Sequence, residues 1–263
     1  MQLLRRLSGR RAARLEAGAF VVDGPVLIAD ALRAGVAIRE AFATDRVDPA
    51  LIDTLEAAGV RVHEIREEVL ARAVDTVSPQ GIAAIATRVE VSVSEAVAAA
   101  AVGPMAFVLI DVADPGNAGT LLRAAEASGA AAVLFCGTSV DPSNPKCVRA
   151  SAGALFHLPV ASGGDTMAVT EALREAGVRT FATVVRGGTP YHTVDLTGPM
   201  AILLGSEAHG LPDAVAAAVD ERLTIPLTGR SESLNVAMTG SVLAFEALRQ
   251  RTSGSKPIGG TPG

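Results

Sequence analysis

The sequence predicts an α/β protein made of two units, in each of which strands alternate with helices. Runs of β-branched and aliphatic residues recur along the chain, separated by helical stretches of about 10–15 residues, as in sheets covered by helices. The apolar fraction of 49% and the charged fraction of 19% exclude an intrinsically disordered chain. A length of 263 residues leaves room for two domains, since domains commonly have about 100–200 residues.

The first unit, residues 1–90, is predicted to be a small α/β domain. Pro25 begins a helix and Gly35 ends it, because proline fits the first helical turn and glycine the position after the last. Parallel pairing is expected for strands joined through helices. The predicted strands are 19–24, 39–44, 60–65 and 81–88, with further helices at 49–58 and up to Ala73.

The segment 91–104 consists mainly of small residues and ends in Gly-Pro, so it is interpreted as a linker, although its alanines could form a short helix. The second unit, residues 105–252, opens with an apolar run suited to a strand buried on both faces. The tail 253–263 is rich in Gly, Ser and Pro and is predicted to be disordered. The second unit's strands are predicted at 105–113, 131–136, 158–161, 180–185, 200–204 and 222–226, and its helices at 119–128, 146–155, 166–176, 212–219 and 233–251.

The composition also restricts the class of protein. Cys136 and Cys147 are too few for a disulfide scaffold, and no Cys or His spacing indicates a metal site. No apolar run reaches the roughly 18–20 residues of a membrane span, and the N-terminus lacks the apolar core of a secretory signal. We therefore expect a cytoplasmic protein without a metal or a membrane anchor.

The N-terminus carries a cationic segment within a protein of net charge −5. The total charge argues against a general nucleic-acid coat, but a cluster of guanidinium groups can still bind phosphates locally. An exposed amphipathic helix without a binding role is the alternative. The arginines that precede the first acid, Glu16, are Arg5, Arg6, Arg10, Arg11 and Arg14.

The first of three polar segments in the second unit is 111–130. A strand runs into an Asp-Pro-Gly turn and then, after Asn117, into a helix with Gly119 in its first turn. Small residues at a helix N-terminus let backbone N–H groups approach a ligand, and Arg123 follows about one turn later. A surface arginine is the alternative. An NAD-binding fingerprint is disfavoured, because Gly116 and Gly119 do not form a GxGxxG pattern.

The second polar segment, LLGSEAHG at 203–210, again ends an apolar strand. Open parallel sheets bind ligands at the carboxyl ends of their strands, which places Glu207 where it can contact one. Turn or capping roles for Glu207 and His209 are the alternative, and no carboxylate at a suitable spacing makes His209 a convincing base.

The third polar segment lies within 225–248. A strand ends at Pro226, and Ser233-Leu234-Asn235 opens a long helix. The simplest interpretation is that Ser233 caps the N-terminus of this helix. Asn235 stands in an apolar first turn, so we expect it to be hydrogen-bonded to another loop or to a ligand.

Together these segments resemble the three motifs of the SpoU (TrmH-type) RNA ribose 2′-O-methyltransferases of the SPOUT superfamily. The resemblance covers residues 105–252, and residues 1–90 resemble the small substrate-binding domain that many members carry. A departure lies at 237–240, Ala-Met-Thr-Gly, where small serine and alanine residues are more usual. The matching positions are Asn117, Gly119 and Arg123, then Leu204, Gly205, Ser206, Glu207 and Gly210, then Ile225, Pro226, Ser233, Leu234, Asn235 and Val236.

The resemblance implies methyl transfer from S-adenosylmethionine to a ribose 2′-hydroxyl. Gly205, Ile225, Leu227 and Leu234 would then line the cofactor pocket. Arg123 matches the family's candidate for activating the hydroxyl, but a guanidinium with a pKa above about 12 is better suited to orienting the oxygen than to removing a proton. The remaining motif side chains would position substrate or hold the loops; they are Asn117, Glu207, Ser233 and Asn235.

The resemblance also implies a deep trefoil knot in the C-terminal domain and a homodimer formed through the knotted region. The C-terminal helix offers Val242, Leu243, Phe245 and Leu248 for such an interface. Ribosomal RNA is favoured as substrate because minimal transfer-RNA members often lack an N-terminal domain, and the arginine-rich start would contact it. A transfer-RNA enzyme, a catalytically silent RNA-binding module and a nicotinamide-dependent enzyme remain the alternatives.

Overall fold

The structure, a computed structural model, describes residues 1–74 and 80–253 and contains two compact units. The first unit comprises Met1–Val89 together with Asp141–His157, and the second comprises Glu90–Val140 and the chain from Leu158 onward. This division groups Asp141–His157 with the first unit, and the bounds of a continuous C-terminal domain over 105–252 stay a prediction. The predicted tail lies, except for Ser253, outside the described residues.

The helices and strands of the described residues follow one another in the order expected of an α/β chain. The helices are α1 (Gln2–Gly9), α2 (Arg11–Ala17), α3 (Pro25–Arg33), α4 (Pro49–Ala57), α5 (Glu67–Ala73), α6 (Val93–Val102), α7 (Pro115–Ala127), α8 (Pro145–Ala150), α9 (Thr166–Glu175), α10 (Asp213–Ala218) and α11 (Val236–Ser253). The strands are β1 (Ala19–Asp23), β2 (Ile38–Ala43), β3 (Arg61–Glu64), β4 (Ile82–Thr87), β5 (Ala106–Ile110), β6 (Ala132–Cys136), β7 (Val160–Ser162), β8 (Arg179–Thr183), β9 (Thr189–Pro190), β10 (Met200–Leu204) and β11 (Glu221–Thr224).

The sheet of the first unit is mixed, with the strand order β1-β4-β2-β3. Strands β2 and β3 are parallel, but β4 runs antiparallel to both of its neighbours. The expected all-parallel pairing is thus wrong here, because an alternation of strands and helices does not determine the direction in which a late strand enters the sheet. Leu4 and Leu7 of α1 pack into the core of this unit.

The segment Asp141–His157 joins the first unit through α8, which packs on β1, and through buried charge. The Nε of Arg14 donates to Oδ2 of Asp141 at 2.6 Å, and both side chains are almost fully buried. Arg14 also donates to the carbonyl of Leu7. Helix α8 is shorter than the predicted 146–155, since Gly153 adopts φ 96° and a 3₁₀ turn follows it.

Burial of Arg14 corrects its assignment to an RNA-binding segment, because a guanidinium paired with a buried carboxylate is not available to a phosphate. The other four N-terminal arginines are exposed: Arg5 and Arg6 on α1, Arg11 on α2, and Arg10 between the two helices. Arg6 is paired with Glu16 at 3.0 Å, with both side chains more than half exposed. The amphipathic helix considered as the alternative is therefore present, and it leaves an exposed cationic face.

The sheet of the second unit is entirely parallel, as the alternation of strands and helices predicts. Its strand order is β7-β6-β5-β10-β8-β11-β9. Strand β10 lies between β5 and β8. The carboxyl ends of these three neighbouring strands therefore lie at one edge of the sheet, which is where open α/β sheets bind ligands. No helix in the described parts of the chain is long and apolar enough to cross a membrane.

Most of the segment 91–104, interpreted as a linker, forms the helix considered as its alternative, α6. Ser92 and Glu95 form a capping box, in which each side chain accepts a hydrogen bond from the other residue's backbone N–H. Ala96, Val97 and Ala100 are buried in the core of the second unit. The run of small residues allows close packing on the sheet, so α6 is an integral helix of this unit.

Helix α11 packs closely on α7 because Gly240 has no side chain at the crossing. A Cβ at Gly240 would overlap Cδ2 of Leu121 and lie 3.0 Å from Cδ1 of Leu204. Near the end of α11, the buried Gln250 accepts a hydrogen bond from the N–H of Leu196 at 2.9 Å. Its Nε2 donates to Oε1 of Glu246 at 2.8 Å. The close contact at Gly240 and the Leu196–Gln250 bond hold α11 against the rest of the second unit.

The outer face of α11 carries an apolar stripe of Met238, Val242 and Phe245, which are 59%, 37% and 48% exposed. Their spacing of four and three residues places them on one face of the helix. Leu243, which the resemblance places at a dimer interface, is buried in its own unit and is not available to a partner.

Candidate active site

Helix α7 begins four residues earlier than predicted. The carboxylate of Asp114 accepts a hydrogen bond from the N–H of Asn117 at 2.7 Å and caps the helix, and Pro115 occupies its first turn. Asn117 consequently lies in the first helical turn, where its side-chain amide is held next to the carboxyl end of β5.

The loop after β10 is a tight turn closed on itself. Ser206 and Gly210 exchange two backbone hydrogen bonds of 3.1 and 2.8 Å, and the Ser206 hydroxyl accepts from the N–H groups of Ala208 and His209. A Cβ at Gly205 would overlap the backbone of Gly210. Glycine at 205 is therefore required for the turn that presents Glu207.

Helix α11 begins at Val236 and is capped by Asn235, not by Ser233 as the simplest sequence interpretation has it. Oδ1 of Asn235 accepts hydrogen bonds from the N–H groups of Ala237 at 2.9 Å and Met238 at 3.3 Å. Because this oxygen is used by the cap, the amide nitrogen of Asn235 has to donate to something else.

The acceptor is Asn117, so a directed chain of hydrogen bonds joins the three polar segments. Nδ2 of Asn235 donates to Oδ1 of Asn117 at 3.0 Å, and Nδ2 of Asn117 donates to Oε1 of Glu207 at 2.7 Å. The cap fixes which way each amide faces, and the chain ends on an acceptor, as an ionised carboxylate requires. Asn235 is expected from the sequence to bond to another loop or to a ligand; its partner is instead the first turn of α7.

A cavity of about 680 Å³ opens at this edge of the sheet, within the usual size range of small-molecule sites. Glu207 and Asn235 line it, together with Ser233. The four residues predicted to bind the cofactor also line it; they are Gly205, Ile225, Leu227 and Leu234. Its apolar side chains and the tight glycine turn fit an adenosyl group, whose ring needs apolar walls and close backbone.

Arg123 does not line this cavity. It is exposed on α7, four residues or about 6 Å along the helix from Gly119. Within the described residues, no hydrogen bond or ion pair engages its guanidinium. Asn117 is likewise outside the lining and is connected to the cavity only through its bonds to Glu207 and Asn235.

The cavity also contains charged residues that the sequence motifs do not indicate. Arg186 follows β8, and Glu232 precedes the Ser-Leu-Asn motif; both line the cavity, as does His209. The position of Arg186, just beyond the carboxyl end of a parallel strand, is the one signal by which the sequence could have pointed to it. Over residues 1–74 and 80–253, no three His, Cys, Asp or Glu side chains are grouped so that they could hold a metal ion.

Comparison with protein families matches both units. Residues 104–245 match the family described as SpoU rRNA Methylase, and residues 1–84 match an MRM3-like substrate binding domain. A Bacillus subtilis (strain 168) protein named 23S rRNA (guanosine(2553)-2′-O)-methyltransferase RlmP is 30% identical over 234 residues. The match covers 88% of this chain and 89% of that protein.

Two solved structures are similar over nearly the whole chain. The AdoMet-bound rRNA methyltransferase from Sinorhizobium meliloti superimposes with a TM-score of 0.83 at 30% identity, covering 95% of this chain and 94% of that one. The SpoU methyltransferase AviRb from Streptomyces viridochromogenes, in complex with AdoMet, gives 0.84 at 27% identity and covers 96% and 98%.

Proposed function

The chain belongs to the SpoU rRNA Methylase family, and from that membership we propose that it methylates a ribose 2′-hydroxyl of ribosomal RNA with S-adenosylmethionine. The observation that carries the proposal is the convergence of three polar segments on one cavity, joined by the Asn235–Asn117–Glu207 chain. A relative named as a 23S rRNA 2′-O-methyltransferase and two AdoMet-bound structural neighbours support it.

The cofactor is assigned to the cavity next to the β10 loop. Ile225, Leu227 and Leu234 supply apolar surface for the adenine ring, and Gly205 lets the backbone of the turn approach it. When bound, S-adenosylmethionine would supply an activated methyl group for the 2′-oxygen and would be left as a neutral thioether.

Arg123 is assigned to the RNA side of the reaction, because it lies outside the cavity lining and its guanidinium is exposed. A guanidinium stays protonated at neutral pH, so it orients the ribose through a phosphate and stabilises negative charge that develops on the 2′-oxygen. Removal of the proton itself falls to water or to another group.

The remaining motif residues hold the ribose and the loops. Glu207 accepts from Asn117 through one carboxylate oxygen, which leaves the other oxygen for a hydroxyl or an ammonium group of a bound ligand. Ser233 lines the cavity, and Asn235 holds the loop at the start of α11. Asn117 connects Glu207 to Asn235 through its side-chain amide.

The N-terminal unit is assigned to RNA contact. Arg5, Arg10 and Arg11 are exposed, and Arg6 is exposed although paired with Glu16. If these groups bind phosphates, replacing Arg5, Arg10 and Arg11 by glutamine weakens RNA binding and lowers the slope of log K against log salt by up to about 0.9 per lost contact. An unchanged salt slope would contradict this assignment.

We further infer a homodimer through the exposed apolar stripe of Met238, Val242 and Phe245. Such a stripe on the outer face of a helix gains stability when a second copy covers it. The trefoil knot implied by the family stays a prediction.

The test of the proposed chemistry separates methyl transfer from cofactor binding. Arg123→Ala is expected to abolish incorporation of tritiated methyl groups into ribosomal RNA while calorimetry gives an unchanged affinity for S-adenosylmethionine. Arg123→Lys keeps the positive charge but loses the planar set of guanidinium N–H donors, so it is expected to retain only a small part of the methyl-transfer rate. Near-wild-type turnover of Arg123→Ala would refute the role. A parallel assay with transfer RNA as the methyl acceptor distinguishes a transfer-RNA enzyme from a ribosomal-RNA enzyme.

A further inference from the structure

Both negatively and positively charged side chains line the cavity. Glu207 and Glu232 contribute two carboxylates, and Arg186 contributes the only guanidinium or ammonium group among the described residues that line it. Arg186 is exposed to the cavity solvent, and no described side chain pairs with it. An arginine that lines a ligand-sized cavity without a partner of its own is available to an anionic group of a ligand.

We propose that Arg186 binds the α-carboxylate of S-adenosylmethionine. The inference rests on the proposed function, which assigns this cofactor to the cavity. At neutral pH the cofactor carries two positive groups, the sulfonium and the ammonium, and one negative group, the carboxylate. The cavity presents the complementary set of two carboxylates and one guanidinium, and a guanidinium can bind a carboxylate through two parallel N–H···O bonds.

The composition of the lining favours the cofactor over an RNA phosphate as the partner of Arg186. Ile225, Leu227 and Leu234 offer apolar surface to the adenine, which leaves the charged lining residues for the amino-acid end of the cofactor. Two carboxylates at Glu207 and Glu232 would repel a polyanion there, whereas they suit the cofactor's cationic groups.

The proposal is tested by binding measurements on Arg186→Gln with three ligands. These are S-adenosylmethionine, its decarboxylated analogue and 5′-methylthioadenosine, which lacks the whole amino-acid end. Loss of a charge-assisted pair is expected to weaken S-adenosylmethionine about tenfold to hundredfold. The affinities for the other two ligands, which have no carboxylate, should change less than twofold.

Arg230→Gln is the matched control, because Arg230 is an exposed arginine of a neighbouring loop that does not line the cavity. It should leave all three affinities unchanged. Equal weakening of all three ligands by Arg186→Gln, or an unchanged affinity for S-adenosylmethionine, would overturn the proposal. A wild-type protein that does not bind S-adenosylmethionine would instead contradict the proposed function itself.

Discussion

Replacing Asn235 by aspartate should break the hydrogen-bond chain to Glu207 while leaving α11 capped. The new carboxylate can still accept from the N–H groups of Ala237 and Met238, which lie 2.9 and 3.3 Å from the present amide oxygen. It has no donor for Asn117. Either Asn117 keeps its orientation and two oxygens face each other at 3.0 Å, or it flips and its oxygen faces Glu207 at 2.7 Å.

The magnitude follows from the kind of bond lost. A hydrogen bond to a charged group contributes about 1.5–3 kcal/mol, and solvent access at Asn235 and Glu207 places the loss at the lower end. A loss of about 1.5 kcal/mol of transition-state stabilisation corresponds to roughly tenfold in turnover. Because the cap survives in Asn235→Asp, its thermal midpoint should fall less than that of Asn235→Ala, which also loses about 1 kcal/mol of stability with the cap.

The assays are methyl transfer to ribosomal RNA and calorimetric binding of S-adenosylmethionine, with the thermal midpoint measured in parallel. A double variant, Asn235→Asp with Glu207→Gln, can reverse every donor in the chain, since the new amide at position 207 would donate to Asn117, and Asn117 to the new carboxylate at position 235. It should bind S-adenosylmethionine better than the sum of the single effects predicts. Turnover of Asn235→Asp within twofold of wild type, or strict additivity of the double variant, would refute the directed chain.

Three further predictions concern α11. Gly240→Ala should lower the thermal midpoint by several degrees, since overpacking against Leu121 costs about 1–3 kcal/mol; an unchanged midpoint would contradict the close crossing. Phe245→Asp should convert a dimer into a monomer in light scattering, and a monomeric wild type would contradict the inferred interface. The hydrogen bond from Arg249 lowers the pKa of Glu246 below its ordinary 4.5, although burial opposes the shift. The stabilisation is therefore present above pH 4.5 and is lost as pH falls through the lowered pKa. The difference in melting temperature between wild type and Glu246→Gln should accordingly shrink as pH falls from about 6 to 3, and a constant difference would contradict this.

The meeting of the motif residues was predictable because parallel strands bring their carboxyl ends to one edge of a sheet. Asn117 and Glu207 follow neighbouring strands, and Asn235 stands at the start of a helix that packs on α7. Asn235 does have a partner in Asn117, but it is exposed and caps α11 instead of lying in an apolar helical turn, so the reason given by the sequence is not the one that applies.

Other features left weaker signals in the sequence. The Ser92–Glu95 pair is a capping box that could have identified α6, but the small, mostly uncharged residues and the final Gly-Pro favoured a linker over the helix that the alanines could form. Nothing near Arg14 indicates its burial, because the carboxylate that pairs with it is 127 residues away. The mixed sheet of the first unit depends on the direction of β4, which local periodicity does not determine.

The most direct test of the proposed activity is the chemical identity of the methylated product. The purified protein is incubated with tritium-labelled S-adenosylmethionine and ribosomal RNA that lacks the modification, and the RNA is then hydrolysed in alkali. We predict that the label is recovered in an alkali-resistant dinucleotide, because a methyl group on the 2′-oxygen blocks cleavage of the adjacent phosphodiester. Label recovered on a base, or no transfer to ribosomal RNA, would contradict the account.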